Sequence, residues 1–277
     1  MSLKIYHFNN SVCSEKVRMV LNEKGVTDWE SVEVDLFTGE QFNPDYLKLN
    51  PKGIVPTLVD DNGVLTESTL IAEYLDDCFP EPPLKPEGAF EQAQMRLYSK
   101  ACDEGLHQGV AVLSYAAMFM ERLRKLPPAD LEKHLNRIID LERRDRQVSI
   151  NQKGVEAPHI YRGAVAYEKI FQKIDKVLAD GRHWLLGDQF TLAEVNLAPY
   201  FGRLEYMNLL DIWTGDRPVA ADWFKRIQDR PSYQAEVVAW IKEDEWGEMR
   251  EAGTRIKQRV AAFRDDYLAT DSGAQYY

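Results

Sequence analysis

The chain has 277 residues, of which 44% are hydrophobic and 29% are charged. This length fits two domains of ordinary size, and the composition is that of a globular protein. With 34 lysines and arginines against 45 aspartates and glutamates, the net charge is −11, which argues against a protein that binds nucleic acid or an anionic membrane. No apolar run reaches the ~20 residues of a membrane span, and no signal peptide is visible.

Cysteines, histidines and glycines exclude several further classes of site. Three cysteines are too few for a disulfide scaffold, and an odd number cannot all pair within one chain. We therefore expect a protein of the reducing cytoplasm. The five histidines show no zinc-ligand spacing, and the glycine-rich nucleotide motifs are absent. No metal site and no nucleotide cofactor is therefore predicted.

Strand and helix patterns alternate over the first 80 residues. Aromatic-rich or alternating segments predict strands over residues 3–8, 29–36, 56–59 and 63–65. Apolar stripes at helical spacing predict helices over residues 14–25, 44–49 and 68–79. The predicted order is β-α-β-α-β-β-α, with the first two strands parallel and the last two joined as a hairpin.

A proline-rich stretch divides the chain. Four prolines between residues 80 and 86 break regular structure, so we predict domains over 1–80 and 90–277 and a linker over 81–89. The patterns after the linker are helical. One long helix or two are predicted over 90–120, and further helices over 130–146, 164–178, 218–230 and 233–240. Residues 151–158 are predicted as a loop, and Thr191–Glu194 as a capping box at a helix start. The charged residues after Trp240 either cover a pocket or extend a helix.

The segment Asn9–Lys16 lies where the first predicted strand leads into the first helix. A helix N-terminus exposes unpaired N–H groups and a positive dipole end, which stabilise a thiolate or another anion. Ser11 can donate to a bound thiolate, or Cys13 can itself be the thiolate. The alternative is that Ser11 or Ser14 is an N-cap and Cys13 a small buried residue.

Four motifs resemble the cytosolic glutathione transferases and occur in that family's order. They are the Ser-x-Cys-Ser loop at 11–14, the Asn-Pro turn at 50–56, the Thr-Glu-Ser motif at 66–68 and the capping box at 187–194. The resemblance covers residues 1 to about 235. It implies a thioredoxin-like α/β N-terminal domain followed by an all-α C-terminal domain, with glutathione as co-substrate and a homodimer as the usual assembly.

The resemblance also implies roles for residues of the glutathione site. The main-chain N–H and C=O of Val55 would pair with the cysteinyl part of glutathione. These groups would be exposed because the peptide bond before Pro56 is cis. Glu67 and Ser68 would hold the γ-glutamyl end, and Lys52 the glycyl carboxylate. The alternatives are that Lys52 is an exposed loop lysine and that Ser68 is an N-cap.

Two catalytic branches stay open, with Ser11, Cys13 and Ser14 as the candidate catalytic residues. Ser11 stands where serine-type transferases have their catalytic serine. Cys13 stands where some bacterial members, such as the reductive dehalogenases, have a reactive cysteine. Segments 93–104 and 131–136 resemble the bacterial β-etherases, which cleave β-aryl ethers but lack an equivalent of Cys13.

The substrate is expected to be a small hydrophobic or aromatic electrophile. Tyr115, Met118 and Phe119 are candidate walls of its pocket, although such a stripe also occurs in protein cores. A non-catalytic interaction module is the alternative to an enzyme, with the basic segment Arg122–Arg146 as a binding surface for an acidic partner. The residues of the glutathione site argue against that alternative.

Overall fold

The structure is a computed structural model that describes residues 2–270, with Arg122 described by its backbone alone. Within this range no helix combines the length and apolar character needed to cross a membrane. The chain forms two compact units. The described residues of unit 1 fall within Met1–Ser99, Leu186–Pro199 and Lys225–Lys242, and those of unit 2 within Lys100–Leu185, Tyr200–Phe224 and Glu243–Tyr277.

A four-stranded sheet forms the centre of unit 1. The strands are β1 (Lys4–His7), β2 (Glu30–Glu33), β3 (Thr57–Asp60) and β4 (Gly63–Thr66), in the order β2-β1-β3-β4. β1 pairs in parallel with β2 and antiparallel with β3, which forms a hairpin with β4. The predicted βαβ unit and hairpin are confirmed.

Helices make up most of the rest of the chain. They are α1 (Val12–Glu23), α2 (Pro44–Leu49), α3 (Ser68–Cys78), α4 (Ala89–Ala101), α5 (His107–Ser114), α6 (Met120–Arg124), α7 (Pro128–Asn136), α8 (Leu141–Lys153), α9 (Pro158–Leu178), α10 (Leu192–Tyr206), α11 (Asp211–Thr214), α12 (Pro218–Gln228), α13 (Pro231–Glu236) and α14 (Glu243–Leu268). In unit 1, α1 packs between α3 and α13, and this packing buries its apolar stripe. The predicted order β-α-β-α-β-β-α is confirmed.

The segment predicted as helical over 90–120 is helical throughout. Two π-helical turns, Cys102–Leu106 and Tyr115–Phe119, separate α4, α5 and α6. Such turns widen a helix locally and are frequent at functional sites. The second turn packs against α14 and α8 within unit 2.

Three sequence predictions in unit 2 are wrong in detail. The helix predicted over 130–146 is two helices, because Asp140 accepts the Arg143 N–H at 2.8 Å and starts α8. The loop predicted over 151–158 is occupied by the end of α8 and a short 3₁₀ turn, Gly154–Glu156. α9 begins at Pro158, six residues before the predicted start, since proline fits the first turn of a helix.

The predicted capping box is confirmed. The Thr191 N–H donates to Glu194 Oε2 at 3.0 Å, and the Thr191 hydroxyl accepts the Ala193 N–H at 3.2 Å. The residues after Trp240 do not extend the preceding helix but form a separate one, α14, which packs on α9 and on the second π-helical turn. The last seven residues, which the tail prediction also covered, lie outside the described residues.

Candidate active site

The turn between β1 and α1 presents Ser11 and Cys13, both half-buried. Ser11 is the N-cap of α1, and its Oγ accepts the Ser14 N–H at 3.4 Å. Ser14 itself is fully buried, and its Oγ accepts the Phe8 N–H at 3.3 Å. The first turn of α1 therefore leaves Ser11 and Cys13 reachable by a ligand, while Ser14 is engaged in holding the turn.

A fully buried guanidinium holds this turn from behind. Arg18 Nη1 donates to the Phe8 carbonyl at 3.1 Å, and Nη2 donates to the Asn9 carbonyl at 2.6 Å. The same group also donates to the Glu236 carbonyl at 3.0 Å and lies 4.4 Å from the centre of the Trp240 ring. The two carbonyls just before Ser11 are thus fixed by one cation. Sequence reasoning missed this role, for which the available signal is an arginine on an apolar helix face.

His7 completes the arrangement around Arg18. A guanidinium has no acceptor atom, so the Nδ1 of His7, 3.2 Å from Arg18 Nη1, must accept. The Nε2–H of His7 then donates to Ser31 Oγ at 2.6 Å. Burial, reinforced by the charge of Arg18, lowers the pKa of His7 to about 4. His7 is therefore a neutral, oriented link between β1, β2 and α1.

The turn before β3 supplies main-chain groups. The Val55–Pro56 peptide is cis, as the family resemblance implies. Asn50 Nδ2 holds the turn by donating to the Ile54 carbonyl at 2.9 Å and to Thr57 Oγ1 at 3.1 Å. Val55 packs with Phe8 in one apolar cluster. Within residues 2–270, no hydrogen bond uses the main-chain N–H or C=O of Val55, so both are available to an extended ligand.

The N-terminus of α3 carries a strained residue and a buried hydroxyl. Glu67 has a φ of 71°, a region that non-glycine residues rarely occupy, and such strain is concentrated at functional sites. Ser68 follows as the first residue of α3, so the alternative that it is the N-cap is wrong by one residue. The Lys52 ammonium pairs with Glu67 Oε1 at 2.6 Å on the surface.

Lys16 is a site residue that sequence reasoning did not single out. Its side chain is fully buried, and its Nζ lies 3.3 Å from Ser68 Oγ. An ammonium can only donate, so Ser68 Oγ accepts and its hydroxyl hydrogen is left to point elsewhere. A buried cation, a hydroxyl with a hydrogen left to donate and a helix N-terminus together favour a ligand carboxylate.

The three predicted pocket residues lie on the second π-helical turn of unit 2. Tyr115 is buried, and its hydroxyl accepts a hydrogen bond from Asn151 Nδ2. Burial raises the pKa of Tyr115, so its hydroxyl stays protonated. Phe119 stacks on Tyr115 with ring centres 6.4 Å apart, and both Phe119 and Met118 are half-buried.

Two family models match the chain. The glutathione S-transferase N-terminal domain matches residues 10–78, and the glutathione S-transferase C-terminal domain matches residues 152–226. Glutathione S-transferase Z1 of Arabidopsis thaliana is 30% identical over 235 residues, which are 84% of this chain and 90% of the relative.

Two bacterial proteins are also similar. Protein LigF of Sphingobium sp. SYK-6 is 37% identical over 143 residues, 51% of this chain and 55% of LigF, so the match spans about half of that relative. The crystal structure of the β-etherase LigF superimposes with a TM-score of 0.76 at 27% identity, covering 86% of this chain and all of LigF. The tetrachloro-p-hydroquinone reductive dehalogenase of Sphingobium chlorophenolicum is 28% identical over 84% of this chain and 94% of its own.

The neutral state of His7 predicts a pH dependence of stability. Its pKa of about 4 in the folded chain lies below the ~6.5 of an unfolded histidine, so the unfolded state binds a proton more readily. The contribution is complete above pH ~6.5 and is lost as the pH falls from there towards 4. Urea unfolding should show a loss of about 2 kcal/mol between pH 7 and pH 5. His7→Gln should flatten this part of the profile, and identical slopes for both proteins would refute the assignment.

Proposed function

Since this chain belongs to the glutathione S-transferase family, we propose that it activates glutathione at the N-terminus of α1 for attack on an aromatic electrophile. The predicted thioredoxin-like domain followed by a helical domain is confirmed, and glutathione is the co-substrate of the family. The observation that carries the proposal is the placement of Ser11. It is half-buried at the first turn of α1, where the Arg18 guanidinium fixes the two preceding carbonyls.

The residues of unit 1 fit the parts of glutathione. The free main-chain groups of Val55 would pair with the cysteinyl residue, as a short antiparallel strand. Ser68, with Lys16 behind it, would bind the γ-glutamyl carboxylate at the start of α3. Lys52 would turn from Glu67 to the glycyl carboxylate; both side chains of that pair are exposed, so the exchange costs little.

Ser11 would donate its hydroxyl hydrogen to the glutathione sulfur. The Oγ accepts from Ser14 N–H, and its own hydrogen remains to be donated. A free thiol has a pKa of ~8.5, and lowering it to about 6.5 requires ~2.7 kcal/mol of preferential stabilisation of the thiolate. One hydroxyl donor and the N–H groups of a helix N-terminus supply interactions of that size.

The reaction we propose is cleavage of a β-aryl ether next to a ketone. The thiolate sulfur forms a bond to the carbon α to the carbonyl, and the bond from that carbon to the aryl oxygen breaks. The phenolate leaves with the electron pair and takes a proton from water. The similarity to LigF, whose structure is described as a β-etherase, supports this substrate class. Ser11 acts here by orienting and stabilising the thiolate.

Reductive removal of a substituent is a second candidate, supported by Cys13 and the dehalogenase relative. The Cys13 thiolate would attack the sulfur of an aryl–glutathione conjugate. The carbon–sulfur bond breaks, the aryl carbon takes a proton, and a mixed disulfide forms on Cys13. A second glutathione thiolate then releases oxidised glutathione and restores Cys13.

Substitutions in the β1–α1 turn separate the two reactions. Ser11→Ala should lower glutathione-dependent phenol release from a β-aryl-ether ketone carrying a fluorescent phenol by 10- to 100-fold, because the thiolate loses its hydroxyl donor. Cys13→Ala should leave the rate within about twofold, since ether cleavage does not use that thiol. A Cys13→Ala protein that stalls with accumulated glutathione conjugate would contradict ether cleavage and support the reductive reaction.

Retention on immobilised glutathione separates an enzyme from an interaction module. The intact protein should bind the resin and elute with free glutathione, because the proposed site holds both carboxylates and the cysteinyl main chain. A folded protein that passes through the resin would favour the interaction module.

We further propose a cytoplasmic homodimer that uses an apolar surface of unit 1. Leu70 on α3 and Leu97 on α4 are 55% and 54% exposed, and Phe90 on α4 is 70% exposed. Arg96 on α4 donates to both carboxylate oxygens of Glu73 on α3 at 2.8–3.2 Å, which ties the two helices together. Exposed apolar side chains at neighbouring positions are typical of a protein interface. We call these three residues the α3–α4 face.

Light scattering after size exclusion tests the dimer. The protein should elute with twice the mass of one chain, and Leu97→Glu should shift it to a monomer because a carboxylate would be buried at the interface. Val219→Glu is the matched control, since Val219 is 43% exposed and lies in unit 2. A monomeric wild-type protein, or a dimer that survives Leu97→Glu, would refute this surface.

A further inference from the structure

We propose that the side of α8 facing Tyr115 forms an anion subsite, with Arg143 as its principal cation, that binds a carboxylate or phenolate group carried by the electrophile. The inference rests on the proposed function, because it takes Tyr115 as part of the substrate pocket. It adds a preference for anionic aromatic substrates to a chain whose net charge is −11.

Arg143 is a half-buried cation that forms no ion pair with a described residue. Within residues 2–270, no carboxylate lies within ion-pairing distance of its guanidinium. The nearby carboxylate of Asp140 is engaged as the N-cap of α8, where it accepts the main-chain N–H of Arg143 at 2.8 Å. A partly desolvated charge without a partner is costly to a fold, and a ligand anion would relieve that cost.

Arg143 belongs to a polar stripe along α8. Arg143, Gln147 and Asn151 are spaced at i, i+4 and i+8, which places them along the same side of a helix. Asn151 contacts Tyr115 and also donates to the Gln147 carbonyl at 2.9 Å. The side-chain oxygen of Gln147 is buried and has no hydrogen-bond partner in the described part of the chain. The side-chain oxygen of Asn151 likewise has no partner among the described residues. Both amide oxygens are acceptors, so Arg143 is the member of the stripe that can bind an anion.

Tyr115 adds a donor at the same place. Its hydroxyl oxygen accepts from Asn151 Nδ2, so its hydrogen is available to another acceptor. Burial raises the pKa of Tyr115, and the positive charge of Arg143 acts on the hydroxyl in the opposite direction. The phenol hydroxyl bonds to Asn151, which lies on the same side of α8 as Arg143, and both the phenol and the guanidinium are donors.

A second arginine is near Tyr115 but is already engaged. Arg124 donates to the Asn151 carbonyl through Nε at 3.2 Å and Nη2 at 2.6 Å. Arg146, one turn beyond Arg143, lies 3.5 Å from Glu142. Of Arg124, Arg143 and Arg146, Arg143 is the one whose guanidinium makes no such contact with a described residue. It shares the stripe with Asn151, so it is available to a ligand beside Tyr115.

A matched pair of electrophiles tests the subsite. 4-Chloro-3,5-dinitrobenzoate and 1-chloro-2,4-dinitrobenzene both lose chloride to a thiolate, but only the first carries a carboxylate. Arg143→Gln should lower kcat/KM for the benzoate at least tenfold and for the neutral compound by less than twofold, and Arg143→Lys should fall in between. Arg144→Gln removes the same charge from the adjacent position and should change neither value by more than twofold.

Equal losses for both electrophiles, or no loss for the benzoate, would overturn the subsite. Calorimetric binding of unreactive 3,5-dinitrobenzoate separates this result from a failure of the proposed function. A protein that conjugates neither compound, yet binds dinitrobenzoate at least tenfold more weakly after Arg143→Gln, would support the subsite and contradict the transferase reaction. Conjugation of the neutral compound, with dinitrobenzoate binding unchanged by Arg143→Gln, would support the transferase reaction and contradict the subsite.

Discussion

The candidate site depends on one buried cation, the guanidinium of Arg18. It has no access to solvent, and it donates to the carbonyls of Phe8 and Asn9 at the point where β1 ends. The neutral imidazole of His7 accepts from the same group. These bonds determine the direction in which the chain enters α1, and therefore where the N–H groups of its first turn and the Ser11 hydroxyl point. Together with the hydrogen bond from the Phe8 N–H to Ser14 Oγ, they fix the turn between β1 and α1.

The direction of hydrogen bonds explains how buried groups prepare the site for an anion. The Lys16 ammonium can only donate, so the Ser68 oxygen accepts and its hydroxyl hydrogen can be donated to the carboxylate of the proposed ligand. In unit 2, the Asn151 amide donates to Tyr115 and has the same effect on the phenol. In both places a hydroxyl that accepts from a fixed neighbour becomes an oriented donor. This preorganisation lowers the cost of binding and of stabilising developing charge.

The sequence predicts the β-α-β-α-β-β-α order, the hairpin and the Thr191 capping box because each has a local signal in residue periodicity or turn chemistry. It also brings out Ser11, Cys13, Val55 and Ser68, through motifs rather than through contacts. The role of Lys16 has no local signal, since its partner Ser68 is 52 residues away along the chain. Arg18 has only a weak signal, an arginine on an apolar helix face. The break before α8 was missed because a charged segment looks uniformly helical, while Asp140 acts as a cap. The pairing of α14 with the second π-helical turn likewise has no local signal.

The central claim is that the N-terminus of α1, with Ser11, stabilises a thiolate. The most direct test is the pKa of the glutathione thiol bound to the protein, followed by the ultraviolet absorbance of the thiolate as the pH is varied. We expect a fall from ~8.5 to about 6.5 on binding, and a return towards 8.5 in Ser11→Ala. A bound thiol that titrates like free glutathione, or a lowered pKa that Ser11→Ala leaves unchanged, would contradict the account.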